Sequence, residues 1–565
     1  MRSRDSFHYY RQRVLGSGPG VQSLGIKEGV VRPIRGVILA TVSVGALSLV
    51  GVSADDIVQP IDFSHNVVGA PAPVAGAVFG TGPAVKTGSA ICTTAPQGGN
   101  ANTDCEASAG PHNETSIAVN PTDANNMIGG ANDYQLGLNS GGHVTESVLS
   151  RAHVTFDGGK TWSMYPLFSS STYQASGDPA VAFDSSGHAY YATLGFRFVG
   201  PTNAQSPDVL VSNSGDGGKT WNVVKIAAGS GVFTSVGDVL DKEYIAAWGT
   251  GNAIVTYGDF RQAQKGSFVS AKIYSSVTHD GGNTWTRPVI ISGSLDQSFV
   301  SVPVVSGNRI FVAFLNTTDL TTGRDDYEVV EVNPSTGARI AGPFRVATVI
   351  DGATDYPIAF GRQTYQDSLF RSWAAGNIAA DPTNSAHLAV VWSDMRNSIT
   401  PAPSNPYVAK TNSDVIVSQS FDSGRTWSDP EALVLAGDQF MPWGAYDTTG
   451  QLRIGTFDRS ADSAANHLYN YSLATQTSLN SPNVPLVFAT APVSDVQSNP
   501  TSGDRWFAAT ANAAFPFATT FLGDYSNIAA TAGGGVVAYW TDMRNLASFA
   551  GRTGSGEDAY FAKAS

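Results

Sequence analysis

The sequence predicts an all-β chain closed into a seven-bladed β-propeller, with six blades as the alternative count. Three observations predict it. A nine-residue loop recurs four times, a pair of short apolar strands recurs seven times, and the 565 residues are poor in charge (14%) but include 60 glycines. Such a composition suits short strands and many turns rather than long solvated helices.

The loops read TFDGGKTWS from Thr155, SGDGGKTWN from Ser214, THDGGNTWT from Thr278 and SFDSGRTWS from Ser420. In each, the aspartate (Asp157, Asp216, Asp280, Asp422) and the leading hydroxyl can accept backbone N–H bonds inside the turn, and glycine supplies positive φ. The tryptophan that starts the return strand (Trp162, Trp221, Trp285, Trp427) gives a large apolar anchor with one N–H to place. Alternating segments such as DVLVSNS and DVIVSQS precede the loops, so each reads as a hairpin. Successive loop aspartates are 59, 64 and 142 residues apart, and the last gap leaves room for a unit without a loop.

The strand pairs supply the full count. Units open at ETSIAVN (Glu114), DPAVAFD (Asp178), KEYIAAW (Lys242), VSVPVVS (Val300), AGNIAAD (Ala375), MPWGAYD (Met441) and DYSNIAA (Asp524), and a second apolar strand follows each. Units of roughly 68 residues are too small to bury both faces alone, which points to radial closure. Separate sandwiches would need about 100 residues each.

Three segments follow from this. Residues 1–54 carry Arg32 and Arg35 before an apolar run, Gly36 to Ala54, that ends in Val-Ser-Ala. They predict a secretory signal cleaved after Ala54, with a retained anchor as the alternative. Residues 55–110 hold an alternating stretch at 57–68, expected to supply the missing fourth strand of the last unit. They also hold Cys92 and Cys105, the two cysteines of the chain, expected to form a disulfide worth about 3 kcal/mol in the chain-entropy account. Residues 111–565 form the propeller. The protein is expected outside the cell or on its surface, as a monomer, touching a membrane only through an uncleaved N-terminus.

A net charge of -13 and a pI near 5.1 argue against nucleic acid and anionic membranes as partners. The chain has no G-x-S-x-G, H-E-x-x-H or phosphate-binding glycine loop. No cofactor is expected. Structural Ca²⁺ on funnel carboxylates is the one metal chemistry to consider, and no calcium-loop motif accompanies it.

The S/T-x-D-x-G-x-T-W loop resembles the Asp box, or bacterial neuraminidase repeat, of the sialidase superfamily, over the chain from about residue 110 to its end. HNETSIAVNP and WSDMRN are similar to segments of secreted bacterial sialidase-like propellers. The resemblance implies structural Asp boxes on outer loops, away from a binding face. It also implies a glycan ligand handled by exo-sialidase-like hydrolysis or binding, with a non-catalytic cell-surface or extracellular propeller that binds glycans or proteins as the alternative. In sialidases three arginines grip the substrate carboxylate, an aspartate is the acid/base, and a tyrosine with a glutamate helper is the nucleophile. The family's Arg-Ile-Pro tripeptide is absent from this chain.

Function is expected where first-strand starts and second-strand ends meet, on the face opposite the repeated loops. First-strand starts place Glu114, Asp178, Asp241 and Asp524 there, with Tyr525 and Glu243 beside them. Second-strand ends place Asp133, Arg197, Asp259 with Arg261, Asp394 with Arg396, Asp458 with Arg459, and Asp542 with Arg544. The candidate catalytic set is Asp178, Asp241, Asp524 and Tyr525. The candidate ligand-binding set is Glu114, Arg261, Arg396, Arg459 and Arg544, because a planar guanidinium binds carboxylate bidentately. The competing reading of the Asp/Arg pairs is bridging between blades, which the twin Asp-Met-Arg-Asn copies at 394 and 542 favour.

Overall fold

The computed structural model describes residues 90–564, apart from short stretches of which the longest are 351–357, 366–373, 398–410 and 501–521. The expected signal segment and the 57–68 strand lie outside the described residues. Seven antiparallel sheets form a ring, and each pair of neighbouring innermost strands is in contact, including the pair that joins the last blade to the first. The architecture is a seven-bladed propeller.

Innermost strands run His112–Val119, Ala175–Phe183, Gly237–Trp248, Ser298–Ser306, Asn377–Ala380, Gln439–Tyr446 and Asn527–Ala530 in blades 1 to 7. Each pairs with the strand that follows it in sequence, and in blades 2 to 6 two further strands continue outward in chain order. Blade 7 differs. Its third strand, Asp558–Ala564, is covered by Ala101–Asn102 from the N-terminal segment, in the register Ala101↔Phe561 and Asn102↔Tyr560. The outer place in blade 7 is thus filled by residues well after 57–68. Just before them, Cys92–Thr94 adds a fifth strand to blade 1 beside Trp162–Pro166, and a Cys92–Cys105 disulfide closes the loop between the two additions.

The core lies between sheets, not on the axis. Ile254 and Ile273 of blade 3 pack with Val312 and Val330 of blade 4. Val391 and Val417 of blade 5 pack with Ile454 and Ala474 of blade 6. Met127 and Trp162 of blade 1 pack with Tyr539 and Phe561 of blade 7. Each such fully buried side chain contributes about 1.5–3 kcal/mol, so a blade is stable only beside its neighbours.

The four repeated loops connect third and fourth strands in blades 1, 2, 3 and 5. Their chemistry is uniform. In blade 2, Asp216 Oδ1 accepts the amides of Lys219 and Thr220 at 3.0 and 2.9 Å, and Oδ2 accepts the Thr220 hydroxyl at 2.6 Å. Ser214 Oγ accepts the Gly218 amide at 2.9 Å, and Trp221 Nε1 donates to the Gly218 carbonyl at 2.9 Å. Asp157, Asp280 and Asp422 repeat the carboxylate contacts, and Trp162, Trp285 and Trp427 the indole bond. Gly218 has φ +102°, and a Cβ there would sit 2.9 Å from Ile128 of blade 1. The loop is therefore pressed against the preceding blade, which is why glycine is required.

Candidate functional site

Five innermost strands carry the same irregularity near their start. Glu114, Asp178, Lys242, Val300 and Met441 all have positive φ, between 50° and 58°. Each falls where the pairing with the second strand shifts register, between Asn113 and Ser116 in blade 1 and at the matching point in blades 2, 3, 4 and 6. Non-glycine residues in this region cost of order 1–3 kcal/mol each, and such strain clusters at functional sites. In blades 1, 2 and 3 the bulged residues Glu114, Asp178 and Lys242 bring their side chains together, whereas Val300 and Met441 join the apolar core.

Lys242 is the centre of what results. Its Nζ lies 2.7 Å from Asp524 Oδ2, 2.8 Å from Asp178 Oδ2 and 3.3 Å from Glu114 Oε1, and all four side chains are 0–1% exposed. The four come from blades 1, 2, 3 and the approach to blade 7. Asn132 ties two of them together: its Nδ2 donates to Glu114 Oε2 at 3.0 Å, and its Oδ1 accepts the Asp178 amide at 2.8 Å. Asp241 and Glu243 flank the lysine and are equally buried. Oδ2 of Asp241 and both carboxyl oxygens of Glu243 meet no hydrogen-bond donor among the described residues.

This crowding sets protonation. Burial, and then the Asp178 charge, push the carboxyls of Glu114, Asp241 and Glu243 well above the usual carboxylate range. Burial works against the charge on Lys242, but Asp178, Asp524 and Glu114 outweigh it and raise its pKa. Tyr525 is raised by burial and by the neighbouring Glu114. Its hydroxyl donates to the Pro179 carbonyl at 3.1 Å, and its ring lies 5.5 Å from Lys242 Nζ.

Next along the axis comes a cavity of about 260 Å³. All seven blades line it, with Tyr244, Trp443, Tyr446 and Tyr525 as aromatic walls and Ser116, Asn377 and Asn527 among its polar residues. Tyr244 of blade 3 and Trp443 of blade 6 stack across the ring, and Tyr244 also meets Tyr525 with centroids 5.6 Å apart. No Lys or Arg side chain lines this cavity, and none of the cluster carboxylates does.

The sequence-predicted residues therefore divide. Glu114, Asp178, Asp241, Asp524 and Tyr525 come together, with Glu243, around one lysine. The arginines stay at the second-strand ends, each held by a carboxylate. Arg396 donates from Nε to Asp394 Oδ1 at 2.9 Å and from Nη2 to the Thr348 carbonyl of blade 4 at 3.0 Å. Arg544 binds Asp542 and Asp495 and reaches Asn100 Oδ1 at 2.9 Å, tying blade 7 to the N-terminal segment. Arg459 is fully buried, 3.2 Å from Asp438 and 5.5 Å from the Phe440 ring. Arg261 is 62% exposed and paired with Asp238 at 3.1 Å. The two Asp-Met-Arg-Asn copies match in detail, since Asp394 and Asp542 also accept the indole N–H of Trp392 and Trp540. Among the four candidate arginines, the bonds of Arg396 and Arg544 reach beyond their own sheets. Sequence reasoning missed Lys242; the signal was a charged Asp-Lys-Glu run opening an otherwise apolar strand.

No protein-family profile matches the sequence, and no curated protein matches it. Among solved structures the chain is similar to a Hadza microbial sialidase at 12% identity and TM-score 0.35, with 61% of this chain and 63% of that one covered. It is similar to the NanB sialidase from Streptococcus pneumoniae at 8% identity and TM-score 0.40, covering 78% and 83% of the two chains. For an α-L-arabinofuranosidase of Fusarium graminearum the values are 11%, 0.38, 80% and 92%. Likeness of this degree carries no argument about activity; what the chain's own geometry establishes is a seven-bladed β-propeller.

Proposed function

We propose that this protein is an exported, non-catalytic propeller that binds an uncharged glycan in its axial cavity. The observation that carries this reading is the lining: aromatic faces of Tyr244, Trp443 and Tyr525 beside the amide of Asn527, with no cationic side chain. Such a surface offers apolar faces to sugar rings and a few placed polar groups, the usual make-up of a small-molecule site. A sialic acid carboxylate would need a guanidinium partner, and the four candidate arginines are engaged elsewhere. Hydrolysis would need a carboxylic acid and a nucleophilic hydroxyl in reach of substrate. Yet Asp178 and Asp524 are buried against Lys242, and Asp241 is buried and accepts the Lys242 amide. Tyr525 lines the cavity, but its hydroxyl donates to the Pro179 carbonyl. Export is supported by the Cys92–Cys105 disulfide, a bond that persists in oxidising compartments.

Calorimetric titration with neutral mono- and disaccharides, and with sialic acid, tests the reading. Binding of a neutral sugar that Trp443→Ala weakens at least tenfold is the expected result. Turnover of a fluorogenic sialoside or other glycoside, or binding of sialic acid that Arg396→Met and Arg544→Met abolish, would overturn it.

A further inference from the structure

Where the ring closes, three side chains from distant parts of the chain converge. Asp104 lies next to Cys105 in the N-terminal segment, His112 opens the innermost strand of blade 1, and Asp558 opens the third strand of blade 7. One ligand atom from each lies within 4.8 Å of the other two. The imidazole of His112 is completely buried, yet neither of its ring nitrogens completes a hydrogen bond, and Nδ1 is the one aimed at the cluster. That nitrogen faces Asp104 Oδ2 at 3.6 Å. A charge-assisted hydrogen bond between such groups would close to about 2.7–2.9 Å. Donors sharing a tetrahedral ion at 2.0–2.2 Å stand roughly 3.4 Å apart, close to the spacing seen.

We propose that Asp104, His112 and Asp558 form a binding site for a divalent transition-metal ion, Zn²⁺ or Mn²⁺. One imidazole nitrogen with two carboxylates is a borderline donor set, and the nitrogen disfavours Ca²⁺. Outer groups that orient the ligands are in place. His112 Nε2 lies 3.2 Å from Asp133 Oδ1, and Asp133 is held by Arg151 at 3.1 Å. Asp558 Oδ2 accepts from Asn545 Nδ2 at 2.7 Å, and the Asp104 amide donates to Asn102 Oδ1 at 2.9 Å. A carboxylate behind a ligating histidine fixes its tautomer and raises its basicity. The ion would link the N-terminal segment, the first blade and the last, so its role is to lock the ring; the site is independent of the axial cavity and of any glycan.

Full-length protein stripped with EDTA and titrated with ZnCl₂ tests the proposal. One ion per chain is expected, with a rise in melting temperature. Asp558→Asn and Asp104→Asn should each weaken uptake at least tenfold and remove that rise, with the circular dichroism spectrum unchanged. His112→Ala is a poor probe because the ring also packs against Asp133. Uptake that is absent, or that both asparagine variants retain, overturns the site. Should both variants fail to fold, electron spin-echo measurement on Mn²⁺-loaded wild type decides: coupling to one imidazole nitrogen supports the site, and its absence overturns it.

Discussion

Tyr244 and Trp443 stack across the propeller axis, ring centroids 5.8 Å apart and planes at 27°, although blades 3 and 6 are not neighbours. The pair joins opposite sides of the ring at the level where the charged cluster gives way to the cavity. Trp443→Ala should therefore lower stability as well as affinity, by roughly 2–4 kcal/mol, a little under the cost for a fully buried aromatic because one side of Trp443 faces the cavity. Tyr244→Phe keeps the stack and should leave the denaturation midpoint nearly unchanged. Equal midpoints for Trp443→Ala and wild type would show that the stack does not brace the ring.

Lys242→Met should cost about 3–5 kcal/mol, because it strands Glu114, Asp178 and Asp524 in a buried site without their cation. The loss should shrink between pH 8 and pH 5, as the orphaned carboxyls take up protons. Urea titrations at the two pH values measure this, and a pH-independent loss would count against charge as its cause.

Glu243→Gln gives the opposite result. Burial and the Asp178 charge raise the Glu243 carboxyl in the folded state. A raised acid contributes its full stability below its unfolded pKa and loses it as pH rises toward the folded value. The glutamine variant mimics the protonated form, so it should melt above wild type at pH 8 and close to it at pH 4.5. Melting curves across that range test the sign.

The repeated loops make a separate prediction. Burial works against the Asp216 charge, but the hydroxyl and amide of Thr220, with Ser214 and Lys219, hold its pKa below the ordinary value. Asp216→Ala removes the acceptor for two amides and should destabilise by about 1–2 kcal/mol. Ligand affinity should not change, since the loop is remote from the axis. A stable variant that loses binding would place the ligand contact at the loop itself rather than on the axis.

Arg396 and Arg261 occupy the same place in their blades but should behave differently. Arg396→Met breaks a link to Thr348 of the neighbouring blade and leaves Asp394 without its guanidinium, and a fall of several degrees in melting temperature is expected. Arg261→Met loses an exposed pair worth at most about 1 kcal/mol. Equal effects would mean that the Asp/Arg pairs are not graded by burial.

What the sequence disclosed follows from range. The repeated loops were legible because Ser214, Asp216, Gly218, Thr220 and Trp221 satisfy one another within eight residues. The strand pairs were legible because apolar alternation is local. Seven units of that kind leave little choice but a ring. The carboxylates near the axis could be named from their place at strand starts, but their partner could not. Lys242 binds groups 128, 64 and 282 residues away, and the bulges that aim them depend on register rather than residue type. Ala101–Asn102 is too short to show any period, whereas the longer 57–68 stretch upstream alternates clearly enough to pass for the outer strand of blade 7. The arginines repeat as clearly as any ligand set, yet a repeated position serves contacts between blades just as well.

The pairing of Ala101 with Phe561 has a consequence for how the molecule comes into being. At about 5–20 residues per second, Phe561 is added roughly 20 to 90 seconds after Ala101. Throughout that time the last sheet lacks its third strand, and the first blade has no neighbour on one side. Earlier blades can assemble as an open arc, but its two bare ends wait for Asp558–Ala564 to emerge. The ring is thus a late event, open until then to proteases, to strand-pairing with other chains and to holding factors. A chain stopped before Asp558 should persist as that open arc, cut far faster by protease than the complete protein.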